Sequence, residues 1–519
     1  MHQNGPSEKP EPCVVVIFGA SGDLCHRKLI PALYELHHQG LLPSAYAIVG
    51  VSRTPKSDEA FREELHKATK EFSAAYEEKA WGGFVGRVHY HAADAASPES
   101  YAGLTSRLGE IAREHGVPTP NTNLLFYLSV APQLYIPIID ALGSSGLIAE
   151  GRRWCSLDRE SMPWQRIVVE KPFGEDLESA EELNRALGRV FEEEATFRID
   201  HYLGKELVQN VLVMRFANRI FEPLWTREHV DHVQVTAAET VGVGSRAANF
   251  YDGAGAMRDM IQSHLLEVMA LIAMEPPSNY DADALARERI KLFKAITPVS
   301  VEEAHEHAAL GRYGSAGEGK PAYVEEKGVE AGRKTDTFCA IRVEIDNWRW
   351  AGVPFYLRSG KRMARKLTEI VVQFKQPPTW MFREIPSAVL KGERPPNRIV
   401  INIAPDDGVS LRFEAKVPGH KLVIDSVKMD MDYAKAFKSD PVEAYGPLLL
   451  DAMRGDRTLY KHRDEVEGAW KVCQPFLDSG RLRESVETYE SGTWGPRSSD
   501  ALLARDGRIW HNPVVTEKR

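Results

Sequence analysis

Val14-Val15-Val16-Ile17-Phe18-Gly19-Ala20-Ser21-Gly22-Asp23-Leu24 is the stretch that decides the fold. An unbroken apolar run ending at a glycine reads as a strand buried on both faces, the kind found in parallel sheets. It runs straight into Gly19-x-x-Gly22 and then into a helical pattern carrying Leu29, Ile30, Leu33 and Leu36. Strand, glycine turn and helix is the arrangement in which the N–H groups at a helix start receive a pyrophosphate. The spacing is G-x-x-G rather than the full G-x-G-x-x-G. On this stretch alone a plain strand-to-helix turn stays open.

Three more buried strands extend the pattern. Ala47-Ile48-Val49-Gly50-Val51-Ser52-Arg53 follows the first helix. In NAD-binding folds an acidic residue ends this strand and takes the ribose hydroxyls, whereas an arginine there suits a 2′-phosphate. Arg53 therefore points to NADP, the alternative being a solvated loop arginine. Asn123–Val130 and Arg166–Glu170 complete the set, the latter ending at Lys171-Pro172-Phe173-Gly174. Ligands of open α/β sheets bind beyond the C-terminal ends of the strands, which puts Lys171 within reach of cofactor and substrate. The proline after Lys171 restricts its backbone; a surface lysine before a loop proline is the plainer reading.

Beyond Phe197 the texture changes to shorter, alternating strands at Val233–Ala237, Ala340–Ile345, Ile370–Phe374 and Ile399–Ile403. Period-two alternation belongs to an antiparallel sheet with one face covered by helices. The fold class expected is α/β plus α+β. Residues 1–12 form a polar, proline-rich leader, and 13–197 a Rossmann-like, doubly wound parallel sheet for NADP. Residues 198–519 form a larger substrate-binding and catalytic domain with a mainly antiparallel sheet covered by helices. Gly311 to Lys334, rich in glycine and charge, reads as a mobile loop or edge excursion, and the stretch after Trp494 as a docked or frayed tail.

Two segments carry candidate chemistry. Arg198-Ile199-Asp200-His201-Tyr202-Leu203-Gly204-Lys205-Glu206 opens a helical pattern. If helical, His201 and Lys205 share a face, where with the Tyr202 hydroxyl they form a grip for a phosphomonoester. A solvated amphipathic face is the alternative. Arg258-Asp259-Met260-Ile261-Gln262-Ser263-His264-Leu265-Leu266 follows a glycine hinge at Asp252–Gly255. On an α-helix Asp259 and His264 lie far apart around the axis, so a carboxylate for His264 must come from elsewhere, Asp200 being the economical candidate. A core or cap histidine is the competing reading.

Composition excludes several classes. At 519 residues the chain exceeds one ordinary core. A net charge of −9 argues against a nucleic-acid scaffold. Five scattered cysteines without metal-ligand spacing fit a reducing compartment and neither disulfides nor structural zinc. No apolar run reaches bilayer-spanning length, so neither membrane nor nucleic acid is an expected partner and a cytoplasmic location is expected.

Together these motifs resemble the glucose-6-phosphate dehydrogenase family. The resemblance rests on G-A-S-G-D-L from Gly19, V-E-K-P-F-G from Val169, the nine residues from Arg198, R-D-M-I-Q-S-H-L-L from Arg258 and V-P-F-Y-L-R-S-G-K from Val353. L-L-L-D from Leu448, G-D-R-T-L-Y from Gly455, D-E-V-E from Asp464 and S-G-T-W-G-P from Ser491 follow in family order. It implies oxidation of glucose 6-phosphate to 6-phospho-D-glucono-1,5-lactone with NADP, the opening step of the pentose phosphate pathway, in a homodimer or homotetramer. It also implies His264 as general base with Asp200 as partner, and His201, Tyr202 and Lys205 on the phosphate. Glu239, Asp259, Lys361 and Lys366 would hold the sugar and its phosphate. Gly19, Ser21, Gly22, Asp23, Leu24 and Arg53 would hold NADP, with Lys171 between the ligands; no metal is required.

Several residues depart from the family pattern. Ser263 replaces the usual asparagine before the base, and Ala404 a common sugar-binding glutamine. Tyr445-Gly446-Pro447 interrupts a usually charged helix start, and Gly311-Arg312-Tyr313 differs from G-Q-Y. A non-catalytic NADP or sugar-phosphate sensor, and a dehydrogenase of another phosphosugar, are the competing functions.

Overall fold

The computed structural model describes residues 9–148, 162–200, 202–204, 206–244, 251–317, 320–330, 332–379, 381–382, 396–437 and 445–513, with backbone only for 206–208. The chain forms two compact units: Met1–Gly204 with Asn279–Ala286 and Val442–Glu467, and Lys205–Ser278 with Arg287–Pro441 and Gly468–Arg519.

The first unit is built on β1 (Cys13–Phe18), β2 (Tyr46–Ser52), β3 (Val88–Ala92), β4 (Asn123–Leu128), β5 (Gln165–Val169) and β6 (Thr196–Ile199). They pair in parallel in the order β6-β5-β4-β1-β2-β3, and Tyr460–Lys461 adds an antiparallel edge to β6. The strand order reverses between β1 and β4, the switch point of a doubly wound sheet. Every residue of β1 is buried, as its continuous apolar run requires. The helix Ile30–His38 buries Ile30, Leu33 and Leu36, the predicted apolar stripe. Leu177–Val190 starts at a reciprocal cap, in which Ser179 N–H bonds Asp176 Oδ1 at 2.9 Å and Asp176 N–H bonds Ser179 Oγ at 3.2 Å. Such a cap stabilises a helix by about 1 kcal/mol.

This unit is discontinuous, which a single boundary at 197/198 does not express. Leu448, Leu449, Ala452 and Met453 of the helix Tyr445–Arg454 enter the same core as Leu29, Leu33 and Leu36. Pro447 lies inside that helix as described and does not interrupt it.

The second unit carries β7 (Val230–Ala238), β8 (Ala308–Tyr313), β9 (Phe338–Val343), β10 (Phe355–Gly360), β11 (Leu367–Phe374), β12 (Arg398–Ala404), β13 (Gly408–Lys416) and β14 (Ile424–Asp432). The sheet order is β14-β13-β12-β11-β7-β10-β9-β8, with Glu487–Tyr489 beyond β8. Pairing is antiparallel except β7 with β10 and Glu487–Tyr489 with β8. The polar members of β7 are not solvated. Gln234 and Thr236 are buried, Gln234 Oε1 accepts His511 N–H at 2.7 Å, and its Nε2 donates to Ile509 O at 2.9 Å. The C-terminal segment thus covers this part of the sheet and is docked through residue 513.

Gly311 to Lys334, expected to be a mobile loop or an edge excursion, is anchored at one point of its described part. Tyr323 is completely buried and its hydroxyl donates to Asp252 Oδ1 at 3.0 Å. One aromatic anchor outweighs the glycine-rich composition. Among the described residues no helix is long and apolar enough to cross a membrane.

Candidate active site

In the first unit the glycine turn sits at the end of β1, beside the switch point. Gly19 has φ +81°, and a Cβ there would lie 2.0 Å from Ser129 O, just past β4. Only glycine lets the turn close so near the neighbouring strand. Gly19 N–H bonds Val51 O at 2.9 Å and Gly22 N–H bonds Gly19 O at 2.9 Å, which fixes the turn. Asp23 is exposed and Leu24 packs against the core, so the helical turn opens with its polar side outward. The wide, π-helical turn Cys25–Leu29 precedes the α-helix, a detail the apolar spacing did not reveal. Ser21 Oγ donates to Ser52 Oγ at 2.9 Å, tying the turn to the end of β2, where Arg53 is exposed. The glycine cradle, the strand reversal and the arginine after β2 together fit a dinucleotide.

Lys171 follows the C-terminal end of β5, as expected. Its neighbour Glu170, given no role in the sequence analysis, accepts a hydrogen bond from the Tyr127 hydroxyl. Burial pushes the Glu170 carboxyl up, and the bonds from Tyr127 and Tyr445 pull it back only in part. Asp200 is 2% exposed and stands just past β6. Its Oδ1 accepts the Tyr202 N–H at 2.9 Å, and its Oδ2 lies 3.2 Å from Nζ of the buried Lys461. No local pattern announces Lys461; it arrives on the short strand paired with β6. Tyr202 is 9% exposed and lies in a turn, the described helix beginning at Glu206. His201 and Lys205 lie outside the described residues.

In the second unit the parallel pairing of β7 and β10 explains a second cluster. Ala238 and Gly360 are register partners, so the residues that follow them, Glu239 and Lys361, emerge side by side. Lys361 Nζ donates to Glu239 Oε2 at 2.7 Å, and the ammonium lies 5.6 Å from the centre of the Tyr251 ring. Arg362, the next residue, holds a left-handed φ of +48°. Its side chain is anchored on Pro321 O at 2.6 Å and Glu326 Oε1 at 3.2 Å, and this strained backbone helps aim Lys361. Lys366 is exposed before β11.

Tyr251, not singled out by the sequence, is 2% exposed. Burial, followed by the charge of Asp259 and then those of Asp336 and Glu239, pushes its phenol well above the ordinary range. It therefore stays protonated and can act as a donor. Glu239, Asp259 and Lys361, expected to meet the sugar, gather in this way around one buried phenol.

His264 is 1% exposed on Met257–Leu265, which is a π-helix, its end marked by the Leu266 N–H bond to Ile261 O. The separation of Asp259 and His264 expected of an α-helix does not occur. A π-helix bonds i to i+5, so residues five apart stack one turn above each other, and Asp259 and His264 share a side. The wide helix begins at a pinned kink. Gly255 has φ +68°, a Cβ there would lie 2.4 Å from Asp336 Oδ1, and the Met257 N–H bonds Asp336 Oδ2 at 3.0 Å. Ser263 Oγ donates to Arg258 O at 2.9 Å, again five residues back, so the serine is absorbed by the helix itself. Ala404 lines a cavity of about 860 Å³ with Glu369, Arg398 and Arg412, a cavity whose lining includes none of Glu239, Asp259, His264 or Lys361.

A doubly wound nucleotide-binding sheet in one unit, and in the other a sheet with an acid–lysine pair and a helix packed on it that buries a histidine, define a nicotinamide-dependent oxidoreductase. Residues 16–210 match the family model for the NAD binding domain of glucose-6-phosphate dehydrogenase, and residues 212–511 match that for its C-terminal domain. The chain is 43% identical over 514 residues to the glucose-6-phosphate 1-dehydrogenase of Aggregatibacter actinomycetemcomitans, covering 98% of this chain and 99% of the relative. It is 40% identical to that of Chlamydia pneumoniae over 98% of this chain and 97% of the relative. A solved glucose-6-phosphate dehydrogenase in complex with its substrate glucose-6-phosphate superposes with a TM-score of 0.86 at 34% identity, over 98% of this chain and all 100% of the other. The enzyme from Mycobacterium avium gives 0.81 at 33% identity with the same coverage. The chain belongs to the glucose-6-phosphate dehydrogenase family.

Proposed function

We propose that this chain oxidises D-glucose 6-phosphate at C1 to 6-phospho-D-glucono-1,5-lactone with NADP, His264 acting as general base and Asp200 as its carboxylate. The observation that carries the reading is the burial of a single imidazole on a rigid π-helix. General-base catalysis needs an imidazole held in one place, within hydrogen-bond reach of the proton it takes. The bound nicotinamide supplies the hydride acceptor. The chain's own residues do the rest. Gly19, Ser21, Gly22, Asp23 and Leu24 hold the pyrophosphate side of the nucleotide, and Arg53 meets the 2′-phosphate that distinguishes NADP from NAD. Lys171 stands between nucleotide and sugar. His264 takes the proton from the C1 hydroxyl, and negative charge from Asp200 stabilises the imidazolium that results. Glu239, Asp259 and Lys361 orient the sugar, and Lys366 with His201, Tyr202 and Lys205 hold its phosphate, whose binding energy positions the remote C1.

Two further parts of the reading rest on smaller observations. Val427, Met429 and Met431 alternate on the outermost strand β14 and are all exposed, an apolar stripe that supports a homodimer or homotetramer. Cys13, Cys25, Cys339 and Cys473 are buried and in no disulfide, which supports a reducing, cytoplasmic compartment.

A substrate and cofactor panel tests the whole. Reduction of NADP should require glucose 6-phosphate, and Arg53→Ala should raise KM for NADP about 10- to 100-fold, the worth of a charged hydrogen bond, while leaving NAD unchanged. No turnover at high enzyme concentration would favour a sensor, and faster turnover of another phosphosugar would reassign the substrate.

A further inference from the structure

One cluster in the first unit has no part in that chemistry. His89 lies on β3, the outer strand of the parallel sheet. Glu114 ends the helix Tyr101–Glu114 and His115 caps it. The Nε2 atoms of His89 and His115 are 2.7 Å apart, and Glu114 Oε1 lies 4.0 Å from His115 Nε2. One ligand atom from each of the three falls within 4.8 Å of the others. His89 is 2% exposed, His115 is half-buried, and Glu114 is exposed.

The rear of the cluster is equally ordered. His89 Nδ1 is 3.0 Å from Asp58 Oδ2, and Asp58 is itself held by the Tyr90 N–H at 2.7 Å and Arg107 Nη2 at 3.3 Å. A carboxylate behind an imidazole keeps the proton on the rear nitrogen and turns the lone pair of the other nitrogen forward. The Nε2 lone pair of His89 is therefore fixed toward His115. The site also lies at a helix C-terminus, where the aligned peptide dipoles favour a positive charge.

We propose that His89, His115 and Glu114 bind a borderline divalent transition cation, with Zn²⁺ the best fit and Asp58 as the carboxylate behind His89. Two imidazoles and one carboxylate suit zinc and its neighbours rather than magnesium or calcium, which take all-oxygen sets. With Zn–N near 2.0–2.1 Å, tetrahedral bonding sets ligand separations of about 3.3 Å. The two rings need to part by roughly 0.6 Å, and the Glu114 carboxylate to close on His115 by a similar amount. His115 moves its proton from Nε2 to Nδ1 as the cation enters, and water completes the fourth position. The ion would pin the sheet's outer strand to the end of the helix that packs beside it.

The test uses the full chain, stripped with chelator and then titrated with Co²⁺. One equivalent should bind with the strong visible bands of a tetrahedral site, and Zn²⁺ should displace it. The chain holds 17 histidines, so the variants decide the location. Glu114→Gln removes a direct ligand and should weaken binding by more than the roughly 10- to 100-fold typical of losing an outer carboxylate, and His115→Ala should abolish the bands while dehydrogenase activity stays at the wild-type level. No uptake at millimolar cation overturns the proposal. So does uptake that is identical in wild type and Glu114→Gln, which alters an exposed side chain and leaves the fold intact.

Discussion

Nζ of Lys461 lies 3.2 Å from Oδ2 of Asp200, and both residues are under 4% exposed. The carboxylate assigned to the base is thus charge-paired inside its own unit, on a strand pairing of Tyr460–Lys461 with β6 that closes the edge of the parallel sheet. A buried pair of this kind is costly to break from one side, because the remaining ion keeps its desolvation penalty.

Lys461→Met should therefore destabilise the first unit by about 3–5 kcal/mol. Asp200→Asn combined with Lys461→Met should recover part of the loss, since neither charge is then left alone. Denaturant unfolding followed by circular dichroism checks this. A single variant that unfolds at the wild-type midpoint would show that the pair contributes nothing.

His264→Asn should lower kcat about 10²- to 10⁴-fold while KM for glucose 6-phosphate changes little. The side chain is replaced by one of similar polarity that takes no proton, so packing in the π-helix is largely kept. Steady-state kinetics separate the two parameters. Retention of wild-type kcat removes His264 from the proton-transfer step.

Tyr251→Phe keeps the ring under Lys361 and removes only the hydroxyl. If that donor meets the sugar, KM should rise by the worth of one neutral hydrogen bond, about 0.5–1.5 kcal/mol or a few-fold to tenfold, with thermal stability unchanged. Equal KM in variant and wild type makes Tyr251 a packing residue beside the Lys361–Glu239 pair.

Asp451 supplies a pH signature independent of catalysis. Burial, aided by the charge of Asp456, pushes its carboxyl up to about 7, against about 3.9 for an exposed aspartate. Between those values the folded chain holds a proton that the unfolded chain has released, so stability falls as pH rises through the window. Asp451→Asn should flatten that slope and raise the melting temperature relative to wild type above pH 7. Parallel melting curves of the two proteins from pH 5 to 8 would contradict the assignment.

The residues legible in advance were those whose signal is local. The apolar run before Gly19 could be buried only as a central strand, and a Cβ at Gly19 would strike Ser129 O, so the turn was readable from composition and order. The alternating strands of the second unit were found for the same reason. β3 was missed because Val-His-Tyr-His-Ala offers no apolar run. β13 and β14 alternate as well, through Val409, Leu411 and Phe413 in one and Val427, Met429 and Met431 in the other, but were not singled out.

By itself the sequence determined a doubly wound nucleotide unit followed by a mainly antiparallel one, and it singled out the histidine, carboxylates and lysines proposed for the site. Tertiary structure alone decided how those groups are held. The helix around His264 bonds five residues back rather than four, a choice made by the kink that Gly255 and Asp336 impose and invisible in side-chain periodicity. Glu239 meets Lys361, and Asp200 meets Lys461, because strands far apart in the chain lie next to each other in a sheet. Register between distant strands is set by the packing of whole faces, and no window of neighbouring residues contains it.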